Sequence, residues 1–290
     1  TCSWDRRRYG SCNHRYMEVI MTQNERREYL INYLLKEDKK IFRQRIPDQR
    51  EEQEKLLRSL MNVRLPKPVS EEFLKIQDDY LKERNLERGI TDIEDLKPVS
   101  SDKRLYIWQG DITTLKCDVI VNACNSQMLG CFSPMHACID NFIHTYAGVE
   151  LRLKMYEIMT AQGHEEETGK AKITAGYNLP AKYILHTVGP IVQWAVTKKD
   201  EELLASCYRS CLELAEKYEV KSIAFCCIST GVFMFPNERA AQIAVETVRK
   251  YYAETGSQMK VIFNVFKDED LDIYSNILGK SMLCNTKDEK

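Results

Sequence analysis

Cys131, His136 and Cys138 stand within eight residues in the spacing C-x4-H-x-C, on a stretch punctuated by Gly130 and Pro134. Thiolates and an imidazole together suit tetrahedral Zn²⁺ better than a hard cation. A closed structural zinc site normally takes four protein ligands, whereas a catalytic one takes three and keeps a position open. No second closely spaced Cys or His pair lies nearby to complete the set. The competing reading is a pair of buried cysteines beside an ordinary loop histidine. Free cysteine is among the most buried residue types, and the chain has 11.

Three further segments have loop chemistry: Gly110-Asp111-Ile112-Thr113, Asn122-Ala123-Cys124-Asn125 and Ser229-Thr230-Gly231-Val232-Phe233. Each follows an expected strand. A Ser-Thr-Gly turn ahead of a helix aims backbone N–H groups at a phosphate, although glycine at such turns is also common for steric reasons. Asp111 taken alone reads as a turn former bonding its own backbone. His186, within a strand, reads as a core histidine.

The elements that must position these loops begin at about residue 99. Arg104–Trp108, Asp118–Asn122, Ala171–Ala175, Tyr183–Thr187, Ser222–Cys227 and Lys260–Val265 read as strands. Helical patterns lie between them at about 150–162, 199–218 and 237–254, with a last one near 268–279. Such alternation predicts a mostly parallel sheet covered on both faces, with ligands at the carboxyl ends of its strands. Residues 22–89 are helical in pattern: Thr22 and Glu25 form a capping box, with apolar positions at Leu30, Tyr33, Leu34 and Ile41. Leu56, Leu57, Leu60 and Met61 make a second stripe, ended by Pro66 and Pro68. Ser70 caps a third helix that Gly89 ends. These helices cannot bury their stripes alone and are expected to pack on the strand-rich domain C-terminal to them. Residues 1–16 carry no periodicity and are read as a disordered or added leader, the Arg6–Arg8 run as a solvated tail.

With 42 basic and 43 acidic residues the net charge is -1, which offers no basic face for nucleic acid. The longest apolar run, 223–235, is interrupted by Ser229, Thr230 and Gly231 and is too short to span a bilayer. No secretory signal is visible, and an odd number of cysteines, several in strand-like runs, suits a reducing cytoplasm.

Taken together, GDIT at 110–113, NACN at 122–125, IDNFIHTYAG at 139–148, HTVGP at 186–190 and STGVF at 229–233 resemble the macrodomain family. GCFSPMHAC at 130–138 replaces a glycine-rich run and resembles the zinc-dependent subgroup of microbial protein-ADP-ribose hydrolases. The resemblance implies a three-layer α/β/α macrodomain over 99–280 with a mixed, mostly parallel six-stranded sheet. A helical extension at 17–98 would precede it and a tail at 281–290 would come after it. It implies ADP-ribose as ligand, with Asp111 and Ile112 at the adenine and Ser229, Thr230, Gly231, Val232 and Phe233 around the diphosphate. Phe233 is placed either against the distal ribose or in the core. Asn125 is assigned to the distal ribose, and Asn122 to a ligand contact or to the turn. Asp140 and Asn125 become the catalytic residues; His144 packs on or caps the helix that carries Asp140. One Zn²⁺ per chain would be held by Cys131, His136 and Cys138. The implied reaction is removal of mono-ADP-ribose from Asp or Glu esters on a protein. Relatives point to a lipoyl-carrier protein modified by a sirtuin-type transferase as that protein. A non-catalytic ADP-ribose reader with a structural zinc is the alternative.

Overall fold

The computed structural model describes residues 21–37 and 45–279. The leader at 1–16, Ile41 and the tail at 281–290 lie outside them. Three helices open the described chain: α1 (Gln23–Glu37), α2 (Arg50–Val63) and α3 (Glu71–Glu87). The Thr22–Glu25 capping box is formed: the Thr22 N–H donates to Glu25 Oε2 at 2.7 Å and the Glu25 N–H to Thr22 Oγ1 at 3.3 Å. Ser70 Oγ caps α3 by accepting from the Phe73 N–H at 3.2 Å.

A short parallel pair, β1 (Thr91–Asp92) with β3 (Leu115–Lys116), flanks the main sheet. The main strands are β2 (Leu105–Gln109), β4 (Val119–Cys124), β5 (Ala171–Ala175), β6 (Tyr183–Val188), β7 (Ser222–Phe225) and β8 (Lys260–Val265). Their order is β2-β8-β7-β4-β6-β5, all parallel except β5 against β6. This is the mixed, mostly parallel six-stranded sheet expected. Helices α4 (Ile139–Ala147), α5 (Val149–Gln162), α6 (Lys198–Lys217), α7 (Asn237–Thr255) and α8 (Asp268–Gly279) complete the layers.

Some strand boundaries differ from the sequence reading. β7 ends at Phe225 and not Cys227, because Cys226 and Cys227 have already turned into the loop that lines the cleft. β4 runs on to Cys124 and not only to Asn122. Gly148, with φ 102°, separates α4 from α5.

The apolar core is divided. One cluster fills the sheet and its flanking helices; a second, built from Leu30, Leu34, Leu57, Leu60, Phe73 and Leu81 among others, fills the three-helix extension. Much of the join between them is polar. Asn62 Nδ2 donates to Thr145 Oγ1 at 3.1 Å, and Gln77 Oε1 accepts from the Val149 N–H at 2.9 Å. Asn85 Nδ2 donates to the Asn178 carbonyl at 2.7 Å. Buried polar groups cost free energy unless paired, so these bonds fix one orientation where apolar packing would tolerate several.

Candidate active site

The C-terminal ends of β2, β4, β7 and β8 open onto a single cleft of about 560 Å³. Its lining includes Asp111, Ile112, Asn125, Cys131, His136, Cys138, Asp140 and all of Ser229–Phe233. Among the site residues expected from sequence, only Asn122 falls outside it.

The loop from Gly130 to Cys138 folds back so that its three ligand atoms lie within 4.8 Å of one another. Cys131 Sγ stands 3.6 Å from His136 Nδ1. A tetrahedral zinc with Zn–S about 2.3 Å and Zn–N about 2.0–2.1 Å would separate a sulfur and a nitrogen by about 3.6 Å. The donor set therefore fits the metal in type and in spacing. Gly130, with φ 82°, makes the fold-back possible, since a Cβ there would lie 2.8 Å from the His144 ring. Cys138 also caps α4, its Sγ accepting from the Asn141 N–H at 3.4 Å. Burial pushes its thiol up to about 12, with the Cys131 thiol adding to the rise; a metal would have to displace that proton.

Behind this loop runs a buried polar chain. Asn122 Nδ2 donates to Asp140 Oδ1 at 2.8 Å and lies 3.1 Å from His186 Nδ1. The Asn122 amide makes Nδ1 the acceptor, which leaves the His186 proton on Nε2, 3.0 Å from Thr174 Oγ1. Burial pushes the Asp140 carboxyl up to about 6, opposed by the Asn122 bond and the Arg152 charge. His186 is pushed down to about 3 by burial. His144, buried in the last turn of α4, lies with Nε2 3.5 Å from Asp140 Oδ1 and, among the described residues, without a hydrogen bond at either ring nitrogen. Asn122 thus supports Asp140 from inside the sheet and does not face the cleft, because its place in β4 pairs it with His186 of β6.

Asn125 does face the cleft. Its Oδ1 accepts from the N–H groups of Gln127 and Met128, at 3.1 and 3.2 Å. The side-chain amide is thereby fixed, with Nδ2 left to donate outward.

At the other end Asp111 makes the turn weighed from sequence. Its Oδ1 accepts from the Thr113 N–H at 2.9 Å and the Thr113 hydroxyl at 2.6 Å, making the turn, while Oδ2 pairs with Arg88. The side chain still lines the cleft beside Ile112. Between the two ends, Ser229 takes φ 66° and Phe235 N–H returns to its carbonyl at 3.0 Å, forming a compact loop. Within it the N–H groups of Gly231, Val232 and Phe233 have no hydrogen-bond partner among the described residues. Such a run of unpaired donors suits an anion. Phe233 is half-buried in the cleft wall, and its carbonyl accepts from the Val192 N–H at 2.9 Å.

Sequence reasoning passed over the arginines that brace this site. Arg152 is buried and donates to the carbonyls of Leu129 (2.8 Å), Met61 (2.9 Å) and Arg64 (2.6 Å), joining the start of the 130–138 loop to the end of α2. Arg88, at the end of α3, lies 3.5 Å from the Tyr146 ring centroid while holding Asp111. Neither sits in a motif, and each reads locally as a helix-surface charge.

The Macro domain family model matches residues 121–244. A protein-ADP-ribose hydrolase of Treponema medium is 57% identical over 261 residues, covering 89% of this chain and 100% of that protein. One from Staphylococcus aureus is 51% identical over 265 residues, covering 91% and 99%. Among solved structures, the Trypanosoma brucei macrodomain in complex with ADP-ribose is 32% identical with a TM-score of 0.59, covering 77% of this chain and 95% of that one. The Oceanobacillus iheyensis macrodomain with ADP is 37% identical with a TM-score of 0.57, covering 64% and 95%.

Proposed function

The chain belongs to the macrodomain family, and from that premise we propose that it is a zinc-dependent hydrolase releasing ADP-ribose from mono-ADP-ribosylated protein side chains. The observation that carries this reading is one cleft holding an open three-ligand group, a buried carboxyl at Asp140 and an anion-ready loop. Hydrolase relatives align along their whole length, and a similar macrodomain was solved with ADP-ribose.

In this proposal the Gly231–Phe233 amides hold the diphosphate, Asp111 and Ile112 the adenine, and Asn125 Nδ2 the distal ribose. Zinc on Cys131, His136 and Cys138 would polarise an oxygen ligand and fix its place. Asp140 orients a water and takes its proton as the water oxygen bonds to the ribose carbon and the bond from that carbon to the protein side chain breaks, the leaving group keeping the electron pair. An Asp or Glu ester suits such a site, because a carboxylate leaves without acid assistance. Holding water and sugar in register supplies much of the acceleration available to such a site. A lipoyl-carrier protein modified by a sirtuin-type transferase is the acceptor we propose, on the resemblance alone. The cytoplasm is the compartment we propose, on the free cysteines.

The test is incubation with a Glu-linked mono-ADP-ribosylated protein, with and without chelator, measuring free ADP-ribose. Release that chelation abolishes in a still-folded protein is the expected result. Full release by the folded, metal-free protein would remove the metal from the reaction. No release by the zinc-loaded protein on Glu, Ser or Arg linkages would leave an ADP-ribose reader.

A further inference from the structure

The metal loop has little structure of its own. Between Ser133 and Cys138 its one internal backbone bond is His136 N–H to the Ser133 carbonyl, at 3.3 Å. Met135, next to a ligand, takes φ 58°, a conformation disfavoured for any residue with a Cβ and kept only where the surroundings enforce it. The enforcement comes from α2, far away in sequence. Asn62 Oδ1 accepts from the Met135 N–H at 3.1 Å. One helical turn earlier, Arg58 Nη2 donates to the His136 carbonyl at 2.9 Å and to Asn141 Oδ1 at 2.8 Å. Its guanidinium lies 4.1 Å from the Phe142 ring centroid.

Asn141 completes the grip. It is fully buried, its N–H bonds Cys138 Sγ, and its Nδ2 donates to the Ser133 carbonyl at 2.9 Å. Arg58 therefore reaches the backbone of one ligand directly and the sulfur of another through Asn141. Asn62 is itself held by Thr145. None of Arg58, Asn62 and Asn141 lines the cleft, so their contribution to a ligand is indirect.

We infer that Arg58 and Asn62 are positioning residues that preset His136 and Cys138 for metal capture, making the helical extension an outer part of the active site. The inference rests on the metal reading proposed above. Partners behind metal ligands fix ligand orientation, and their loss typically costs about 10–100-fold in metal affinity.

The test is Co²⁺ titration of the full chain, read by the visible absorption of thiolate-bound cobalt and by competition with a chelator. Arg58→Ala combined with Asn62→Ala should weaken cobalt binding by about 10–100-fold. ADP-ribose affinity of the metal-free protein should stay within about twofold of the parent, since the adenine and diphosphate contacts lie elsewhere. Lys55→Ala, on the exposed side of α2, should change neither. Should the double variant unfold, Arg58→Met keeps a long apolar side chain at that position while removing the donors, and it should still weaken cobalt by about tenfold. Parent-like cobalt affinity in Arg58→Met, or in a folded double variant, would overturn the inference. A parent that takes up no cobalt would instead overturn the metal reading, and this inference with it.

Discussion

Arg88, at the end of α3, pairs its guanidinium with the carboxylate of Asp111 at the cleft wall and stacks on Tyr146. A residue of the helical extension thus fixes the side chain proposed to meet adenine. Of the four acceptor positions on that carboxylate, two on Oδ1 go to Thr113 and one on Oδ2 to Arg88, leaving one for a ligand. Asp111→Ala should weaken ADP-ribose by about 1.5–3 kcal/mol, the range for a hydrogen bond to a charged group. Arg88→Met, which leaves the carboxylate present but untethered, should weaken it less. Calorimetry showing parent-like affinity for Asp111→Ala would confine Asp111 to its turn.

Removing Cys138 takes one thiolate from a three-ligand set and also the cap of α4. Cys138→Ala should lose most of its zinc by elemental analysis. Cys138→Ser keeps a capping oxygen at the helix start and should lose zinc too, separating the metal from the cap. Stoichiometric zinc in both variants, or none in the parent, would refute the ligand assignment.

Asp140 is held by Asn122 and placed in the cleft behind the ligands. Asp140→Ala should keep its zinc yet release ADP-ribose about 10²–10⁴-fold more slowly, as for a lost acid–base group. Asn122→Ala should slow release too, by loosening the carboxyl without touching the ligand. Parent-like turnover in Asp140→Ala would exclude it from the chemistry.

Stability should fall on mild acidification through the buried histidines. His186 has a folded value near 3, against about 6.5 when unfolded. The unfolded chain therefore takes up a proton first, so this contribution is whole above about pH 6.5 and declines progressively as pH falls toward 3. His144, also lowered by burial, acts in the same sense, whereas the raised value of Asp140 acts in the opposite one. Urea denaturation should show a shallower loss from pH 7 to pH 5 in His186→Gln than in the parent. Parallel curves for the two proteins would show that the ring does not govern that loss.

Gly189 sits against the loop proposed to hold the diphosphate. A Cβ there would lie 2.1 Å from Ser229 Oγ and 2.9 Å from Ile228 Cγ2, closer than atoms can approach. Gly189→Ala should push the loop outward and raise the ADP-ribose dissociation constant about tenfold, in line with an overpacking cost of about 1–3 kcal/mol. Unchanged binding by the variant would mean the loop yields without disturbing its donors.

The Cys131–His136–Cys138 group was legible in the sequence because it is local: the three residues share one loop, and residue type with spacing limits what such a loop can bind. The sheet was legible because parallel strands buried on both faces read as Val- and Ile-rich runs, and the ligand loops were legible with it because strands in such sheets end at the site. The shift of β7's end to Phe225 was not, since Cys226 and Cys227 prolong the apolar run after the chain has turned. Nor was the retreat of Asn122 behind the cleft, which depends on the register that sets it opposite His186. Above all, the sequence did not reveal that Arg58, Asn62, Arg88 and Arg152 brace the site. Their bonds join side chains to loops tens of residues away; Asn62 meets Met135 across 73 positions. A hydrogen bond of that span leaves no periodicity in the chain, and only the packing of α2 and α3 against α4 brings its partners together.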